Sequence, residues 1–197
     1  MKIKITIPQI RCANVTHPRT DSDEIYMGFF VSLAKSGEEI NKPALRKYVC
    51  KHVSDVKKNV KKNTTWVPEN METIVETGDA TALYLTMGLY EYDNGGIYKK
   101  LKANSDVLVT PDDFDWTCIE LPTDITSVLG WVKSVWKLLS YSFNYLMEDD
   151  LLGTSSIAVP DVVDLEQREW TGRRELRFKA WGGDYRVSLD IEVLEDD

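Results

Sequence analysis

Two hydrophobic periods divide this chain. Residues 2–10 alternate, with Ile3, Ile5 and Ile7 set against Lys2, Lys4 and Thr6, which is the period of a half-buried strand. "IYMGFFVSLA", Ile25 to Ala34, is rich in aromatic and branched residues and predicts a second strand. "METIVETG" predicts a short strand that ends in a turn at Gly78 and Asp79. "ATALYLTMGLYEYD" predicts a long one, in which Leu83, Leu85, Met87 and Leu89 share one face. Ala82, Tyr84, Thr86, Gly88, Tyr90 and Tyr92 share the other. "SDVLVTP", "WTCIELP", "SSIAVP", "RRELRFKAW" and "DYRVSLDIEVL" complete the strands, with Gly182 and Gly183 turning between the last two.

A spacing of three and four residues appears twice. Leu45, Tyr48, Val49, His52, Val53, Val56 and Val60 predict a helix over about 41–63, started by Asn41 and Pro43. Its opposite face is basic: Arg46, Lys47, Lys51, Lys57, Lys58, Lys61 and Lys62. Val128, Val132, Val135, Trp136, Leu139, Phe143, Leu146 and Met147 predict a longer helix over about 123–147, capped by Thr123 or Asp124. Leu129, Trp131, Leu138 and Tyr141 widen its apolar side, so the helix is expected to be covered by its own domain or by a partner. Strands and helices do not alternate. The fold class expected is therefore mostly β: one domain over 1–197, an antiparallel eight-stranded β-sandwich with two inserted helices.

Composition narrows the function classes. The chain has 197 residues, 43% hydrophobic and 28% charged, ordinary for a globular protein. No apolar run is long enough to span a bilayer. The N-terminus "MKIKITIPQIRC" has a strand pattern rather than a signal peptide's apolar centre. The expectation is a cytoplasmic protein, one exported without an N-terminal signal, or a chain already mature. A net charge of −8 argues against nucleic acid as a partner.

Cys12, Cys50 and Cys118 are odd in number and lack metal-ligand spacing, so they read as buried thiols. No Gly-rich phosphate loop, serine-nucleophile motif or Cys–His pair appears. His17 lies in a polar loop, and His52 on the apolar stripe reads as a core residue. Trp170 and Trp181, in the strand-rich tail, read as core or sheet-face residues. A paired-carboxylate glycosidase would need a larger cleft than this length provides. The chain is not expected to be an enzyme.

Three acidic clusters flank predicted strands. Asp21, Asp23 and Glu24 precede "IYMGFFV", Glu91 and Asp93 close "LYLTMGLYEYD", and Glu148, Asp149 and Asp150 open "LLGTSSIAVP". Calcium takes six to eight oxygen ligands, and carboxylates from several loops are a usual source. Without a cation such a cluster repels itself.

"TDSDEIYMGFFV" resembles the passage from the first loop to the second strand of the calcium- and phospholipid-binding C2 domain. "LYEYD" and "DDLLGTSSIAV" resemble the two halves of that family's third loop, here more than fifty residues apart. "GGDYRVSLDIEV" resembles its final strand. Glu91 stands where the family usually has Asp, and Glu24 follows Asp23 where it has proline. The resemblance implies an eight-stranded sandwich with calcium at one end, held by Asp21, Asp23, Glu91, Asp93 and Asp150, with Glu24 and Asp149 beside them. The interrupted loop would close in space.

The expected function is calcium-dependent engagement of an anionic membrane or a protein partner, aided by Lys57, Lys58, Lys61 and Lys62. The alternative is a self-assembling subunit, a homo-oligomer or polymer stiffened by calcium and joined through strand edges or the long helix.

Overall fold

The computed structural model describes residues 1–16, 22–34, 50–78, 80, 82–93, 98, 99, 102, 150–159 and 171–194. These residues form ten strands in two antiparallel sheets. They are β1 (Lys2–Asn14), β2 (Asp23–Ala34), β3 (Cys50–Val53), β4 (Lys57–Val60), β5 (Thr65–Trp66), β6 (Glu72–Glu76), β7 (Ala82–Glu91), β8 (Asp150–Val159), β9 (Gly172–Ala180) and β10 (Gly183–Leu194). One sheet runs β5-β1-β10-β9 with β6 also on β1, and the other runs β3-β2-β7-β8 with β4 also on β2. β3 and β4 lie end to end along one edge of β2, since β7 occupies the other. β5 and β6 share an edge of β1 in the same way. The strands thus occupy four positions per sheet, the expected eight-position sandwich with two strands interrupted.

Period-two patterning builds the core. Ile25, Met27, Phe29 and Val31 of β2, with Leu83, Leu85, Met87 and Leu89 of β7, face Tyr185, Val187, Leu189 and Ile191 of β10. β1 contributes Ile3, Ile5 and Ile7, then Ile10 and Cys12. The parity changes because a bulge between Thr6 and Gln9, at Pro8, inserts one residue opposite β10. Each such aliphatic side chain contributes roughly 1.5–3 kcal/mol by leaving water.

The two outer faces differ. The β1-β10-β9 sheet is polar outside and laced with ion pairs, Arg173–Asp190 at 2.7 Å and Arg186–Glu175 at 2.7 Å among them. On the other sheet, Tyr26, Phe30, Thr86 and Tyr90 are buried although they lie outside the sandwich. There Gly28 pairs with Gly88 in mid-sheet. Two positions without side chains make room for rings, and Tyr90 stacks on Tyr26 with centroids 4.9 Å apart.

The helix expected over about 41–63 is not present in its described part. Residues 50–53 and 57–60 are β3 and β4, paired with β2. The valines that mimic a helical stripe instead fill the sandwich edge, with Val53 and Val60 buried. Asn59, at φ 56, and a register shift opposite Asp23 and Ile25 bend β4 in a way no helix accommodates. Pairing to β2 has overridden a weak local preference. Residues 41–49, the helix expected at 123–147 and the strands expected at "SDVLVTP" and "WTCIELP" lie outside the described residues, as do His17, Cys118 and Trp170.

Candidate functional site

One end of the sandwich gathers buried polar groups. Asp23 opens β2 and Glu91 closes β7, and each lies two residues from an inward-facing position of its own strand, Ile25 and Leu89. Both carboxyls therefore turn inward. Asp23 is 2% exposed and Glu91 6%. Thr16, just past β1 and also buried, stands between them: its Oγ1 lies 2.8 Å from Asp23 Oδ1 and 2.7 Å from Glu91 Oε2. The Thr16 backbone N–H donates to Asp23 Oδ2 at 2.8 Å. From the opposite sheet, the Tyr185 hydroxyl donates a short hydrogen bond to the same Oδ2. Burial, and next the bond to Asp23, push the Tyr185 phenol far above its ordinary range. Cys12, opposite Tyr185 on β1, is a buried free thiol, as expected, and burial raises its pKa.

The hydrogen count at the Thr16 hydroxyl is informative. It carries one proton but approaches two carboxyl oxygens at bonding distance. Asp23 also accepts from the Thr16 N–H and from Tyr185. Whichever carboxyl takes the hydroxyl proton, the other oxygen meets a lone pair. A cation beside that contact would ease the repulsion.

The two distant acidic stretches meet here in the backbone. Asp150 opens β8 directly opposite Glu91, although almost sixty residues separate them in sequence. Asp93 lies beyond the last residue of β7 and is exposed. Glu24 takes another direction: it pairs with Lys58 at 3.6 Å, and its carbonyl accepts from the Tyr92 N–H at 2.7 Å. Asp21, Glu148 and Asp149 lie outside the described residues. Among the described residues, no group of three or more His, Cys, Asp or Glu is arranged to hold a metal ion.

Lys57, Lys58, Lys61 and Lys62 are all exposed, on β4 and the turn after it rather than on a helix. That turn is tied to β1 by Asn63 N–H to Cys12 O and Cys12 N–H to Thr64 O, each 2.8 Å. Val60, just before it, pairs with Asp23. The lysines thus lie along one side of the acidic end. His52 is partly buried and stacks on Phe29 at 4.8 Å, and desolvation lowers its pKa. Trp181 is not a core or sheet-face residue: it sits in the turn between β9 and β10 and is 74% exposed.

Sequence reasoning missed Thr16 and Tyr185 as site residues. Thr16 had no signal beyond its polar loop. Tyr185 had one, since it is a polar-tipped residue at the first inward-pointing side chain of the last strand.

No protein-family model and no curated protein matches the sequence. Among solved structures, the chain is similar to a C2 domain of plant extended synaptotagmin 1, the one designated A, at 10% identity and a TM-score of 0.42, covering 99% of this chain and 96% of that one. It is similar to a further C2 domain structure at 11% identity and a TM-score of 0.39, covering 98% and 99%. It is also similar to human GIVD cytosolic phospholipase A2, at 10% identity and a TM-score of 0.40, covering 99% of this chain and 17% of that one. The antiparallel sandwich with four strand positions per sheet, expected from the sequence, is the fold observed.

Proposed function

We propose that the chain is a non-enzymatic module that engages an anionic membrane surface through this acidic and lysine-flanked end, with calcium as the linking cation. The observation that supports it is the Asp23–Thr16–Glu91 contact, where two carboxyls share one hydroxyl at the point where Asp150 returns to Glu91. The donor chemistry is hard oxygen throughout, which suits calcium rather than a softer metal. Glu91, Asp93 and Asp150 would hold the ion, with Asp23 and Thr16 behind them. Bound there, calcium supplies positive charge that anionic headgroups attract. The chain's own contribution is to hold the carboxylates rigid and to present Lys57, Lys58, Lys61 and Lys62 beside them.

The test is calorimetric calcium titration of the chelator-stripped protein, followed by vesicle pelleting. The wild type is expected to bind, and Glu91→Gln and Asp150→Asn to lose most of the heat. No heat from the wild type into the millimolar range of weak sites would overturn the calcium reading.

A second reading, the self-assembling subunit, has its own observation. Val67 and Ile74 are 73% and 55% exposed along the β5 and β6 edge. Sedimentation velocity with and without calcium distinguishes it: growth in mass without lipid favours assembly.

A further inference from the structure

We infer that Trp181 is a rigid anchor for the headgroup region of an anionic lipid bilayer, working beside Lys61 and Lys62; this rests on the membrane reading above. The first ground is a local rule that the sequence breaks. The β9–β10 hairpin closes with Ala180 opposite Gly183, leaving Trp181 at φ 53 and Gly182 at φ 91 as the two central residues. Such a turn needs two positive φ values and favours Asn-Gly. A bulky side chain at the first position is a costly choice. Burial does not offset the cost, because Trp181 is 74% exposed. An indole that is both strained and wet has a reason to be there outside the folded chain.

The second ground is placement. The hairpin tip is fastened to the end of β1, where the Asn14 side-chain amide donates to Gly182 O at 2.9 Å. Gly183 approaches so closely that a Cβ there would lie 2.7 Å from Thr16 Cγ2. The same Thr16 stands between Asp23 and Glu91. On the other side of β1, the Lys61–Thr64 turn closes on itself, with Thr64 N–H to Lys61 O at 2.9 Å, and is bonded to Cys12. Trp181 and the two lysines therefore flank one strand end, about two strand spacings (~10 Å) apart. Lys179, exposed and two residues before the indole, adds a further cation on that side. An amphipathic ring with cations around it matches the headgroup level of an anionic leaflet.

Trp181→Asn tests this cleanly, because asparagine suits the turn and should leave the fold as stable or firmer. The protein would be pelleted with phosphatidylcholine vesicles with and without phosphatidylserine, at high and low calcium, alongside thermal melts. Trp181→Asn is expected to weaken binding to the anionic vesicles about tenfold, as for removing one large buried aromatic, with no fall in Tm. Lys61→Ala and Lys62→Ala should each weaken it about fivefold and leave the melt unchanged. If the wild type binds and Trp181→Asn binds equally, the anchor is wrong while the membrane reading stands. If the wild type binds no anionic vesicle at either calcium level, both fall.

Discussion

The hydroxyl of Tyr185 on β10 donates to the carboxylate of Asp23 on β2, and so joins the two sheets across one end of the core. Both residues are almost fully buried. A sandwich normally holds its sheets together through apolar contacts alone, and a polar bond at that depth fixes their relative position only if every member is satisfied. Asp23 has two donors of its own, the Thr16 N–H and the Tyr185 hydroxyl, and shares the Thr16 hydroxyl with Glu91. The end that carries the acidic groups is therefore a built polar plug rather than a frayed loop.

Tyr185→Phe keeps the ring and removes one donor. It should cost about 1–3 kcal/mol, the usual penalty for a buried acceptor that loses a partner. Urea unfolding measures it, and a change below the precision of that method would mean that the bond contributes nothing.

The same phenol gives a pH signature. Its ordinary pKa is near 10, and in the fold it is raised far above that, by burial first and then by Asp23. Tyr90, wholly buried, is raised by the same desolvation. Stability from a raised pKa is complete below the unfolded value and is lost as pH climbs past it. Denaturant midpoints should hold up to about pH 10 and then fall, and Tyr185→Phe should make the fall shallower. A midpoint that is flat to higher pH would contradict the burial of these phenols.

The paired glycines on the outer face make a matched comparison. A Cβ on Gly88 would sit 2.5 Å from Tyr90 Oη and 2.8 Å from its Cζ, whereas one on Gly28 would meet nothing closer than 3.6 Å. Gly88→Ala must displace the ring stacked on Tyr26 and should destabilise by about 1–3 kcal/mol. Gly28→Ala should be close to neutral by the same melt. Equal effects would show that the stacked tyrosines are not what constrains this face.

Two aspartates on the polar sheet set the acid limb. Asp184 and Asp190 have their pKa values lowered from 3.8, chiefly by hydrogen bonds from Arg177 and Arg173. Stability from a lowered pKa is present above the unfolded value and lost as pH falls through the folded one. Unfolding midpoints should therefore decline below about pH 4, and less so in the double variant Asp184→Asn, Asp190→Asn. High salt should shrink the difference, since both partners reach solvent.

Much of the sandwich was legible because period two is a strong signal wherever one face is buried. The inward sets of β2, β7 and β10 follow directly from alternation. β3 and β4 were not legible, because short strands on an interrupted edge carry too few residues to show a period, and their valines happened to fall at helical spacing. At the site, the meeting of Glu91 with Asp150 could be anticipated only through the family resemblance, since nothing local reports a contact across so long an excursion. The burial of Asp23 by Thr16 and Tyr185 depends on the opposite sheet and left no local trace. Trp181 was misplaced because an aromatic beside a strand usually packs on it, and the turn's φ values are invisible in sequence.

Glu91→Gln should have two opposite effects. In the native protein the Thr16 hydroxyl has one proton for two carboxyl oxygens, at 2.8 and 2.7 Å. A glutamine amide supplies a second hydrogen: it can donate to Thr16 Oγ1 while the hydroxyl donates to Asp23. Without calcium, the substitution should therefore be neutral or stabilising, by up to about 1 kcal/mol, although it alters a buried group. Thr16→Val, which removes the hydroxyl and leaves both carboxyls facing a methyl, should instead cost about 1–3 kcal/mol. Calcium should raise the Tm of the wild type and leave that of Glu91→Gln unmoved, because the amide has taken the place of the charge. Paired melts in chelator and in calcium read both effects. A Glu91→Gln variant as unstable in chelator as Thr16→Val would show that the shared hydroxyl is not where the strain of the pair lies.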